Sequence, residues 1–264
     1  MTAFRGKNLR SGDLAEQLGL LLLQNLALVV PVPRTEDVGI DAVVTLISQH
    51  DSLRMLASDS FFVQIKAESI SEIEFTNEEV TWLYGLELPY FIGSVDKTKC
   101  SIRLFCCHRL SDALITNHSR KRIVLHLDIE KNPNELVASD SDDVYVGPPI
   151  LEWSISDGTS DAMKQLFYNV CKAHVTTFRE ALETRRVGQT PYIVWRTNEL
   201  PKPVGWKSAC SFSPGEQIEP IADLMMPYVT RCLDESLRAK NSQWVITLKE
   251  LIDSYLHVIE NINE

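Results

Sequence analysis

Four residues of this chain carry reactive groups where apolar side chains are expected. They are Glu16 in a leucine-rich helical stretch, Asp41 in the apolar run Gly39–Ile47, and Gln64 and Lys66 in the run Phe61–Ala67. Burying a carboxylate or an ammonium without a partner is costly, so these groups are expected to meet one another or a metal ion. In an extended strand Gln64 and Lys66 point to the same face. Two carboxylates, an amide oxygen and the backbone carbonyl of Ile65 make a hard-oxygen donor set, suited to Mg²⁺ or Mn²⁺ that keeps several waters. Lys66 beside such an ion would orient a water and stabilise charge on a phosphate, which points to hydrolysis of a nucleic-acid backbone. Each residue also has a plain structural use. Asp41 can cap backbone N–H groups after Gly39, Lys66 can extend from an edge strand, Glu16 is a good helix former and Gln64 can be a satisfied amide.

The elements that position them follow from periodicity. Ser11 caps a helix that carries Leu14, Leu18, Leu21, Leu22 and Leu28 before Pro31 and Pro33 stop it. Gly12 and Gly19 flank Glu16 at helical spacing and would let this helix lie close to a sheet. Gly39–Ile47 is apolar on both faces, as a covered central strand should be. His50–Ser60 reads as a turn, Phe61–Ala67 as a second strand and Ile70–Phe75 as a third. Thr76 with Glu79 forms a capping-box pattern opening a helix to about Gly85. Pro89–Val95 and Ser101–Cys107 read as further strands, so the order indicates an α/β fold on a mixed sheet. Residues 111–150 read as an extension and linker, with a basic cluster at Arg120–Arg122 and a Gly147-Pro148-Pro149 break. Beyond it, Ser160–Arg186, Glu216–Arg238 and Val245–Ile262 are expected helices and Tyr192–Arg196 a short strand.

The run Glu36-Asp37-Val38-Gly39-Ile40-Asp41, with Gln64-Ile65-Lys66 after it and a helical Glu16 before it, resembles the PD-(D/E)xK nuclease superfamily. The stretches Val32–Asp41, Phe61–Lys66 and Trp82–Asp96 resemble more narrowly the domain-of-unknown-function family 4365, nuclease-like modules of prokaryotic defence systems. The resemblance covers about residues 9–110. It implies a restriction-endonuclease-like αβββαβ core at 1–110, while the helical segments read beyond it make 151–264 a mostly helical accessory region. It implies Asp41 as principal metal ligand, Glu16 as helix-borne ligand, Gln64 in place of the second acid, and Lys66 as catalytic lysine. Two departures stand out. Gln64 removes one negative charge from the parent pattern and so weakens metal affinity, and Ala67 stands where many relatives carry Ser. The function implied is a metal-dependent endonuclease acting on DNA ahead of RNA, as a defence effector with a sensor or partner protein, or as a homo-oligomer. The alternative is a nuclease-fold subunit that only binds nucleic acid or protein.

Composition bounds these readings. A chain of 264 residues with net charge −10 is no general nucleic-acid coat protein. Residues 1–126 hold 13 Lys+Arg against 15 Asp+Glu and residues 127–264 hold 13 against 21, so any polyanion is expected on the first half. The apolar stretch Leu18–Val32 is interrupted and short of a bilayer span, so no membrane is expected. Six cysteines without a CxxC pair read as buried thiols of a reduced, cytoplasmic protein. His108, His118 and His126 match no metal spacing and read as solvated or phosphate-facing, and Trp153, Trp195, Trp206 and Trp244 read as core. Patterns for serine hydrolases, P-loops and dinucleotide sites do not occur.

Overall fold

The computed structural model describes residues 7–33, 39–49, 54–127, 134–209, 214–240 and 243–250. The expectations for Glu36, Asp37 and Val38, for 50–53, for Cys210 and for the last helix beyond residue 250 lie outside them. The chain forms two compact units, Met1–Ser211 and Phe212–Glu264.

The first unit is a mixed α/β fold. A six-stranded sheet contains β1 (Leu28–Pro31), β2 (Ala42–Gln49), β3 (Met55–Ala67), β5 (Tyr90–Asp96), β6 (Ser101–Cys106) and β9 (Leu151–Ser154), in that spatial order. Only the β3–β5 pair is parallel; the other neighbours run antiparallel. A parallel pair needs a long crossover, and β4 (Glu72–Thr76) with α2 (Glu78–Tyr84) provides it. Strand β4 belongs to a separate three-stranded sheet with β7 (Arg122–His126) and β8 (Asp143–Tyr145). Tyr90–Val95 is buried throughout, as a strand covered on both faces must be. Phe61 stacks on Phe91 at 4.4 Å between the parallel strands.

Helix α1 (Lys7–Gln24) meets this sheet through Ala15, Gly19, Leu22 and Leu23. The contact is close: a Cβ on Gly19 would stand 2.7 Å from Ile65 Cγ2 and 3.1 Å from Val95 Cγ2. Gly12 has open space instead, so only one of the two glycines serves the approach. The leucine stripe is rotated from expectation, with Leu14 and Leu21 exposed, because small residues rather than leucines must face a sheet at this distance. The helix also stops earlier than expected. Leu26 N–H donates to Leu23 O, tightening the last turn, and β-branched Val29 and Val30 then extend as β1.

Several boundaries are corrected. Residues 55–60 are strand, not turn, because β3 pairs with β2 along them. Residues 111–150 are no linker. They supply α3 (Leu110–Thr116), β7 and β8, whose Ile123, Leu125 and Val144 join the core. Arg120 is buried and donates to the carbonyls of Ala113, Ser141 and Ala138, while Arg122 pairs with Glu74 at 2.6 Å. The basic cluster is therefore largely structural. The Pro148 carbonyl accepts from Trp195 Nε1 at 2.9 Å, inside the fold. The region from 151 on also carries strands: β9 joins the main sheet, and β10 (Gln189–Val194) pairs with β11 (Lys202–Ser208). Helix α4 (Asp161–Thr184) matches its expectation, with Ser160 accepting from Met163 N at 3.1 Å and Phe167, Val170, Cys171, His174 and Phe178 along its buried side. Trp153 links the two helices on this face, donating to Leu22 O and meeting Phe167 edge-on.

Trp153 and Trp195 are core, whereas Trp206 and Trp244 are exposed. Cys106, Cys107 and Cys171 are buried, and burial pushes the Cys106 thiol up to about 12. His108 is buried, contrary to expectation, and His118 is exposed. Across the described residues there is no helix long and apolar enough to cross a membrane. The second unit holds α5 (Pro214–Arg238), with ion pairs Arg231–Glu235 at 2.5 Å and Arg238–Asp234 at 2.9 Å, and a helical segment at 243–250.

Two measurements probe this packing. Gly19→Val should cost roughly 1–3 kcal/mol in denaturant unfolding, because the added methyls collide with Ile65 and Val95. His174 is fully buried, and burial lowers its pKa to about 3. The unfolded chain, with an ordinary histidine near 6.5, binds one more proton across that window, so stability is complete above about 6.5 and falls as pH drops toward 3. His174→Leu should flatten this acid limb by up to about 1.4 kcal/mol per pH unit, read from unfolding curves at a series of pH values.

Candidate functional site

Strand β3 outruns β2. Their register brings Ala42 opposite Val63, so Gln64–Ala67 extend past the start of β2. On its other side β3 stays paired with β5, Gln64 opposite Ile92 and Lys66 opposite Ser94. Asp41 sits at the mouth of this notch, just before β2 rather than within it. Its N–H donates to Val63 O at 2.9 Å, and its carbonyl accepts from Val32 N at 2.9 Å. Its Oδ2 accepts the Ile65 amide at 2.5 Å. The carboxylate thus lies against the backbone midway between Gln64 and Lys66. A strand residue's N–H and C=O point to the same side, so the Ile65 carbonyl also faces this notch.

Three of the four expected residues therefore converge. Glu16 is half-buried on α1, one turn before Gly19, and α1 packs on the sheet face that carries Ile65. Gln64 and Lys66 point from the opposite face by strand alternation. There they line a cleft of about 540 Å³ with Gly39, Glu74, Glu78 and Trp82.

Residues without a sequence assignment shape the cleft. Tyr90 donates to Gln64 Oε1 at 2.8 Å and reaches Gly39 O at 3.4 Å. Burial, then the neighbouring Cys107 and Asp41, raise the Tyr90 pKa well above its ordinary value, so the phenol stays a neutral donor. Trp82 stands edge-on to Tyr90 at 5.8 Å. Gly39 has φ +79°, a conformation that disfavours other residues, and holds Asp41 at the notch. Glu79 does reach back to Thr76 N at 2.7 Å, half of the expected capping box, but the cap position is Asn77 and its side chain makes no capping bond. Trp82 and Tyr90 both lie in the Trp82–Asp96 stretch, whose local residue pattern does not mark them as site residues.

Compared with protein-family models, curated proteins and solved structures, the chain matches none.

The donor chemistry fits a hard divalent cation of low affinity. Asp41, the Ile65 carbonyl and the second lone pair of Gln64 Oε1 are all oxygens. Among the described residues no group of three or more His, Cys, Asp or Glu is placed to hold a metal, so most of the ligands would be water. Lys66 makes no ion pair or side-chain hydrogen bond among the described residues and is half-buried at the cleft. His126 lies elsewhere, on β7, between Asp143 at 2.7 Å and Glu72 at 3.2 Å.

The Asp41 contact separates geometry from charge. Asp41→Ala leaves the Ile65 amide unsatisfied and should cost about 1–3 kcal/mol of stability, whereas Asp41→Asn retains an acceptor and should cost less. Chemical denaturation of the two variants measures the difference.

Proposed function

We propose that the chain is a metal-dependent nuclease that hydrolyses phosphodiester bonds, acting on DNA ahead of RNA. The observation that carries this reading is the Asp41 carboxylate held on the Ile65 amide, between Gln64 and a Lys66 that pairs with no described residue, at a notch that opens beside a cleft. The element order α1-β1-β2-β3-α2-β5, with β4 inserted before α2, agrees with the αβββαβ core of the PD-(D/E)xK resemblance. Asp41, the Ile65 carbonyl and Gln64 Oε1 would hold Mg²⁺ or Mn²⁺, without Glu16, which α1 carries on the other face of the sheet. The ion when bound supplies Lewis acidity and an activated water. The Lys66 ammonium attracts a phosphate oxygen and stabilises negative charge that grows on it during attack. Tyr90 fixes the Gln64 amide, and Ile65 fixes the Asp41 carboxylate, so neither must reorganise when substrate arrives. On the same resemblance the chain serves as the effector of a prokaryotic defence system, with the Phe212–Glu264 unit as the part that meets a partner protein or a second copy.

A second reading has its own support. Asp41 already caps a backbone amide and Gln64 Oε1 already accepts from Tyr90, which is how a nuclease-fold binding module without catalysis would satisfy the same groups.

Cleavage of supercoiled plasmid and single-stranded DNA with Mg²⁺ or Mn²⁺ distinguishes the two. Cutting should need the metal, stop with EDTA and fall about 100-fold or more in Lys66→Ala. Absence of cutting with either metal, together with metal binding that Asp41→Ala does not change, replaces the nuclease with the binding module.

A further inference from the structure

The cleft beside Lys66 has its own unmet polar groups, and they suit a nucleobase better than a phosphate. Gln64 is 8% exposed and its Oε1 is engaged by the Tyr90 hydroxyl, which leaves Nε2 as a donor at the cleft wall with no acceptor among the described residues. Nε2 and the Trp82 edge atoms Cη2 and Cζ3 each lie 3.9 Å from the point where a Gly39 Cβ would stand. Donor and aromatic ring therefore border one space, which a glycine keeps open. Two of the carboxylates at its rim are engaged, Glu74 by Arg122 at 2.6 Å and Glu79 by Thr76 N at 2.7 Å. Glu78 has no partner among the described residues and is an available acceptor.

With Glu74 offset by Arg122, Glu78 and Glu79 still oppose a phosphodiester on the side of the cleft away from Lys66, whereas a base edge is neutral and presents N–H donors beside acceptors. The cavity of about 540 Å³ falls within the usual range for small-ligand sites, roughly 300–1,000 Å³. We infer that the cleft seats one unpaired nucleobase of a single-stranded or locally opened nucleic acid, stacked on Trp82. Gln64 Nε2 donates to an acceptor of the base, Glu78 accepts from one of its N–H groups, and the attached phosphate lies toward Lys66. This inference rests on the nuclease reading for the identity of the polymer. A duplex keeps its bases stacked and paired, so occupancy selects single strands or an extruded base.

Fluorescence anisotropy with the full chain tests it, using a labelled mixed-sequence DNA single strand, its duplex, and the same strand built with abasic nucleotides, in Ca²⁺ to suppress cutting. The single strand should bind about tenfold or more tightly than either the duplex or the abasic strand. Trp82→Ala should weaken single-strand binding roughly 5- to 100-fold and Trp82→Phe much less. Because Trp82 also packs on Tyr90, exposed Glu78 gives the second variant: Glu78→Ala should lose severalfold affinity for the single strand alone, with an unchanged unfolding midpoint for Glu78→Gln separating this loss from any weakening of the α2 first turn. Equal affinity for the abasic strand, or no effect of Glu78→Ala and Trp82→Phe beside an inert Trp82→Ala, overturns the base seat. Cleavage that persists unchanged in these variants would leave the nuclease standing without it. Base-dependent binding without cleavage under any metal would leave the seat standing and remove the nuclease.

Discussion

The hydrogen bond from the Ile65 amide to the Asp41 carboxylate depends on an unequal pair of strands. Because β3 continues beyond the point where β2 begins, its backbone groups on that side have no ladder partner. A buried N–H must be satisfied, and the nearest acceptor is the side chain that precedes β2. The same overhang opens the notch into which the Ile65 carbonyl points. If β2 were extended by two residues, the ladder would close, the carboxylate would lose its place and the cleft mouth would be filled. The site is thus a product of sheet termination.

Around that point the fold separates its two faces. Below, Ile65 meets α1 at a distance that demands Gly19, and the apolar residues of α1 and α4 seal the sheet. Above, Gln64, Lys66 and Tyr90 face β4 and α2, and the layer there is partly open. Alternation along one strand therefore assigns neighbouring residues to opposite tasks: Ile65 to packing, Gln64 and Lys66 to polar contact. Tyr90, kept neutral by burial, ties the polar side to the backbone at Gly39.

Much of this was legible in the order of residues. The strands at 61–67, 90–96 and 101–106 and the helix capped by Ser160 have the periodicity and end signals that local rules recognise. The grouping of Asp41 with Gln64 and Lys66 followed from polar residues placed in apolar runs, and the structure does bring these three together. The failures have one cause. Leu14 and Leu21 looked like core because they are leucines, yet the helix approaches so closely that Ala15 and Gly19 occupy the contact. Arg120 looked like a surface cation, yet the carbonyls of Ala113 in α3 and of Ala138 and Ser141 in a later loop converge on it. Residues 111–150 looked like a linker, yet β7 finds its partner in β4, some fifty positions earlier.

By itself the sequence determined the strands at 61–67, 90–96 and 101–106 and the helix after Ser160, which side chains would share a strand face and which polar groups would need partners. These are properties of a few consecutive residues, set by backbone sterics and by the cost of burying charge. Tertiary structure alone decided that β3 would outrun β2, that Glu16 would stand on the opposite face from Lys66, and that Tyr90 and Trp82 would border a cleft with Gln64. Those outcomes depend on the register between distant strands and on the depth at which a helix settles, which are fixed by the packing of the whole core.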